Sequence, residues 1–81
     1  MILVERTEAI ILKILKNNKV RNVKIVITGF KYNPEKDAIN LDILDFLVCG
    51  FDEDTATGLF NTMAELHACN IYPKLKRIII S

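Results

Sequence analysis

The chain has no Trp and no Gln among its 81 residues, and only one His, two Cys, two Pro and three Gly. Each scarcity excludes something. With His67 as the sole histidine, any Ser-His-Asp or Cys-His catalytic arrangement has to pass through it. Cys69, two residues on, stands about 200° around a helix from His67 and shares neither a metal nor a proton with it locally. Cys49 and Cys69 are too few for a secreted disulfide scaffold and too widely spaced for a CxxC motif, so both are expected to be reduced and mostly buried. Gly29, Gly50 and Gly58 compose no phosphate-cradling loop. No uninterrupted apolar run exceeds four residues, as in Ala9–Leu12 and Phe46–Cys49, far short of the roughly 18–20 that cross a bilayer. The opening Met-Ile-Leu-Val turns charged at Glu5 and Arg6, without the basic region and apolar core of a secretion signal. A cytoplasmic location is the expectation.

What the chain does have is aliphatic bulk: twelve Ile, nine Leu and five Val within a hydrophobic fraction of 51%. Charged residues make up 26%, with a net charge of +1, which is the opposite of a disordered composition. One domain over residues 1–81 is expected. A domain this small buries roughly 60–65% of its unfolded surface, so its core supplies stability with little surplus and self-association would help it.

Met1–Val4, four apolar residues in a row, read as a short strand. From Glu5 to Asn17 the spacing of Ile10, Ile11, Ile14 and Leu15 predicts an amphipathic helix, with Glu5 and Glu8 at its start and Lys13 and Lys16 at its end complementing the dipole. Asn17 and Asn18 tolerate the left-handed conformation just past such an end. In Val20 to Tyr32, Val23, Ile25 and Ile27 alternate with Lys24, Val26 and Thr28, a strand pattern rich in β-branched residues. Asn33-Pro34-Glu35-Lys36-Asp37 suits either a tight connection or the N-terminus of a helix. The next residues favour the connection, because in a helix Asn40 and Asp42 would lie about 200° apart and split the polar face. Ile39 to Val48 is therefore expected to be extended, with a bulge or strand end near Asp45, where the alternation breaks. Asp52, Glu53 and Asp54 then favour a helix start, and Leu59, Phe60, Met63 and Leu66 keep helical spacing up to a stop at Asn70 and Pro73. Gly58 inside that helix suggests a close backbone approach. Lys74 to Ser81 closes the chain as a strand.

The resulting order, β-α-β-β-α-β, predicts a single-domain α+β two-layer sandwich of the ferredoxin-like kind, an antiparallel sheet with two helices on one face. Its second face would be open. Val26, Leu44 and Ile78 or Ile80 would form an apolar patch there, and a symmetric homodimer through the sheet face is the expected use of it. Of the families with this topology, the metal-carrying ones need a CxxC after the first strand and the acyl-phosphate-hydrolysing ones an anion loop with Arg. Val4-Glu5-Arg6-Thr7 matches neither.

Charge is partitioned along the chain. Residues 1–36 carry +5, residues 37–73 carry −7 with no Lys or Arg, and Lys74, Lys76 and Arg77 return +3. Lys13, Lys16, Lys19, Arg21 and Lys24 form a candidate phosphate-contacting patch. A solvated face balanced by the acidic half is the competing reading. Near-zero net charge and the lack of aromatics at mid-strand positions weigh against nucleic acid. Asp52, Glu53 and Asp54 suit helix capping better than a cation, since no calcium-loop spacing accompanies them, and Asp42 and Asp45 lack an acid–base partner. No cofactor, metal or catalytic group is expected. The function that follows is a non-enzymatic interaction domain that self-associates and binds a macromolecular partner, with nucleic-acid binding as the alternative.

Overall fold

The computed structural model describes residues 2–81, with Ile2 described through its backbone alone. Its elements run α1 (Ile2–Asn17), β1 (Val23–Asn33), β2 (Ala38–Val48), α2 (Glu53–Ala68) and β3 (Ile71–Ile80). The three strands form one sheet in the order β1-β2-β3. β1 and β2 are an antiparallel hairpin. β3 lies parallel to β2, which requires a crossover, and α2 is that crossover.

The expected ferredoxin-like sandwich is overturned: the order is α-β-β-α-β, and the sheet is three-stranded and mixed rather than four-stranded and antiparallel. The strand expected over Met1–Val4 is the first turn of α1, with Met1 outside the described residues. The physical reason is a longer helical stripe than the isoleucines alone suggest. Val4 is half-buried and Thr7, Ile11, Ile14 and Leu15 are buried, a 3-4-3 spacing that continues one face back past Glu5. Thr7 joins this apolar stripe because its hydroxyl donates to the Leu3 carbonyl at 2.8 Å, leaving no unsatisfied group. Ile10, assigned to the stripe by spacing, is exposed on the outer side.

α1 ends in a Schellman motif. The Lys19 N–H donates to the Lys16 carbonyl at 3.0 Å and the Val20 N–H to the Leu15 carbonyl at 2.9 Å. The left-handed residue is Lys19, at φ 65°, and not Asn17 or Asn18. Asn18 instead points its amide at the Ile14 carbonyl, the Thr62 hydroxyl and Glu65 Oε1, tying the end of α1 to α2. Both helices cover one face of the sheet. Ile11, Ile14 and Leu15 of α1 and Leu66 of α2 close over Leu41, Ile43, Phe46 and Val48 of the central strand in a single core. α2 starts as its acidic stretch predicts: Asp52 is the N-cap and accepts from the Thr55 N–H at 2.8 Å. That bond, with the Thr55 hydroxyl, holds the Asp52 carboxyl below its ordinary 3.8.

The hairpin contains the break expected at Asp45. Val26 pairs with Asp45 and Ile27 with Ile43, so Leu44 is an extra residue on β2. Ile27↔Ile43 is followed by Gly29↔Asp42, so Thr28 is a compensating extra residue on β1. The irregularity lets Ile43 and Phe46 both face the core, and it turns Leu44 and Asp45 together to the opposite side.

Candidate interaction surface

The face of the sheet away from the helices is built by the residues that alternate with the core. Lys24 and Val26 of β1 lie between Val23, Ile25 and Ile27, which pack on the core. Asn40, Asp42, Leu44, Asp45 and Leu47 of β2 follow from the bulged register, and Tyr72, Lys74, Lys76, Arg77 and Ile79 of β3 from its pairing with β2. Val26 is 48% and Leu44 40% exposed. Leu47 and Ile79 are paired and half-buried. Two ion pairs cross this apolar ground, Lys76 Nζ to Asp42 Oδ2 at 3.8 Å and Arg77 Nη2 to Asp45 Oδ1 at 2.7 Å. The opposite charges of the acidic and closing basic segments thus meet within the chain, and Asp42 and Asp45 serve as ion-pair partners rather than as a pair of carboxylates.

The four residues expected at a dimer interface separate into two places. Val26 and Leu44 are on the open face. Ile78 pairs with Phe46 and Ile80 with Val48, both core residues, so these isoleucines point to the helix side. There they are still 49% and 55% exposed, on a strand at the edge of the sheet. A sheet-face contact therefore does not collect all four side chains.

All five candidate phosphate contacts, Lys13, Lys16, Lys19, Arg21 and Lys24, are exposed. Lys16 and Arg21 line one shallow cleft of about 320 Å³ with Leu12, Leu15, Val20, Asn22 and Val23. Lys24 is on the far face of the sheet, so the five do not make one surface.

Both cysteines are exposed, against the expectation of buried thiols. Cys49 lies just past the end of β2 and Cys69 at the C-cap of α2, beyond the reach of the core, and Cys49 Sγ is 3.5 Å from the Ser81 hydroxyl. They bracket α2 from opposite ends, as the extended reading of β2 requires. No group of His, Cys, Asp and Glu among the described residues is arranged to hold a metal.

Sequence reasoning missed Tyr72. It stands on the open face, in a strand that begins at Ile71, whereas the closing strand was expected from Lys74 and Tyr72 fell in the connection before it. Its hydroxyl donates to Asn70 Oδ1 at 3.3 Å and its ring tilts against His67 with centroids 5.2 Å apart. With Gly29, Lys31, Asn40, Asp42 and Lys74 it borders a shallow cleft of about 380 Å³. Phe60, whose spacing suggests core, is 76% exposed on α2. No helix among the described residues is long and apolar enough to cross a membrane. No family model, curated protein or solved structure matches the chain.

Proposed function

We propose that this protein is a non-enzymatic interaction domain that self-associates and presents its sheet to a macromolecular partner. The observation that carries the reading is a β-layer whose apolar side chains, Val26 and Leu44 with the half-buried Leu47 and Ile79, have no covering element among the described residues. Isolated exposed apolar residues need no explanation; a contiguous set on one sheet face does. Four groups with catalytic potential have structural partners: His67 against Tyr72, Asp52 as a helix cap, Asp42 and Asp45 in ion pairs. Two exposed free thiols suit a reducing compartment, and a cytoplasmic location is part of the proposal.

Sedimentation equilibrium from low to high micromolar concentration tests it. The weight-average mass is expected to rise towards that of a dimer, and a strict monomer across the range overturns the reading. A second reading, nucleic-acid binding, draws on the shared cleft of Lys16 and Arg21. It requires binding at low salt that weakens as salt rises and is lost in the Lys16→Glu/Arg21→Glu variant.

A further inference from the structure

We infer that self-association runs through the free edge of β3, two copies pairing antiparallel about a two-fold axis at Ile79. The inference rests on the reading of the protein as self-associating and specifies where the copies meet.

The backbone of β3 dictates the register. At its start, the Ile39 N–H donates to the Asn70 carbonyl at 2.8 Å, so residues 70, 72 and 74 turn their polar groups to β2 and residues 71, 73 and 75 turn theirs to the free edge. Pro73 fits this: its missing N–H falls on the unpaired side, where a strand tolerates proline. At its end the phase is reversed. Ser81 donates its N–H to the Val48 carbonyl at 3.1 Å and accepts from the Gly50 N–H at 2.8 Å, both toward β2 and its continuation. By alternation Ile80 and Ile78 aim their N–H and C=O groups outward. The reversal sits beside the Leu44 bulge, where Lys76 and Arg77 both occupy the open face.

Pro73 interrupts the outward groups of Ile71 and Leu75, so the uninterrupted pairable stretch is Ile78 and Ile80. Centring a two-fold on Ile79 sets Ile78 of each copy opposite Ile80 of the other, so every outward N–H meets an outward C=O, four hydrogen bonds in all. Centring it on Ile78 would set Ile80 opposite Lys76, whose position lies at the reversal, and centring it on Arg77 would oppose two guanidinium groups. The Ile79 axis keeps Lys74, Lys76 and Arg77 of the two copies on opposite sides of the joint. It also places the half-exposed Ile78 and Ile80 of both copies against one another on the helix side.

The other edge is blunted. β1 carries Lys24 and Lys31 and two register irregularities, devices that discourage edge pairing, whereas Ile78–Ile80 carries neither a charge nor a proline. The product is a six-stranded sheet with four helices on one face, closed by symmetry. Its contact is short, so association is expected to be in the micromolar class.

Two variants test the geometry, both in a Cys49→Ser/Cys69→Ser background. Ile80→Pro removes an outward N–H while leaving the bonds to β2, and is expected to sediment as a monomer with the unfolding midpoint that the wild-type chain shows at concentrations where it too is monomeric. Ile79→Cys places two thiols on a non-hydrogen-bonded pair with Cα atoms about 4.5 Å apart, within disulfide reach. Mild oxidation is expected to give a covalent dimer, and Lys74→Cys is expected to give none. Failure of Ile79→Cys to cross-link, or a dimer that survives Ile80→Pro and is abolished by Leu44→Lys, overturns the edge assignment while leaving self-association standing. A wild-type chain that stays monomeric overturns both.

Discussion

Gly58 is where α2 meets the end of α1. A Cβ there would collide with the Asn18 carbonyl oxygen and come within 2.8 Å of Val20 Cγ2. One of those neighbours is backbone fixed by the Schellman turn, so the space cannot open without moving α1. Gly58→Ala therefore sets an overpacking cost of about 1–3 kcal/mol against a helix-propensity gain of about 1 kcal/mol. A lower urea midpoint is expected, opposite to the usual result of Gly→Ala in a helix. Lys19 makes the converse case, a long side chain in the left-handed position where glycine is usual. Lys19→Gly is expected to raise stability by up to about 1 kcal/mol, read as a higher thermal midpoint.

At the scale of the elements, the β1–β2 hairpin is fastened at its tip. The Tyr32 hydroxyl donates to Asp37 Oδ1 at 2.8 Å across the turn, and Asp37 adopts φ 47°. That hydrogen bond first, and the carboxylate's negative charge second, raise the Tyr32 phenol above its ordinary 10.0. A raised value means that the folded state holds the proton more tightly, so the contribution is present below pH 10 and lost as pH climbs through the raised value. In a Tyr72→Phe background the phenolate absorbance is expected to titrate above 10 and to return toward it in Asp37→Asn. This hairpin was legible in the residues: Val23, Ile25 and Ile27 set the period, Asn40 and Asp42 weighed against a helix, and Asp45 marked a break in the alternation. The cap at Asp52 and the close approach at Gly58 were legible for the same reason, each being a local rule. The start of α1 was not. Its stripe runs through Thr7, a polar residue whose burial depends on a bond to Leu3, and hydropathy alone misses it. The reversed phase of β3 was equally hidden, since it follows from the register of a neighbouring strand rather than from Lys74–Ser81.

For the molecule as a whole, stability is concentrated in β2. Phe46, fully buried, lies on the central strand beneath both helices. Removing its ring is expected to cost about 3–5 kcal/mol, out of roughly 4–12 kcal/mol for a domain of this length. Phe46→Ala is therefore expected to lose most of its cooperative transition in urea, followed by far-UV circular dichroism. The candidate site was only half legible on this scale. Val26 and Leu44 lie on the face their alternation predicts, but Ile78 and Ile80 turn to the helix side, because the register of β3 pairs them with Phe46 and Val48.

The parallel pairing of β3 also sets an order of events. α1, β1, β2 and α2 are each complete before Ile71 is reached, and the hairpin forms from neighbours in the chain, whereas β3 must cross the length of α2 to find Ile39. Non-local pairing of that kind waits on loop closure. During synthesis, then, the most apolar strand of the protein leaves the ribosome with one flank bare, and stays so until Ile71–Ile80 follows; in that interval a chaperone has its clearest reason to bind.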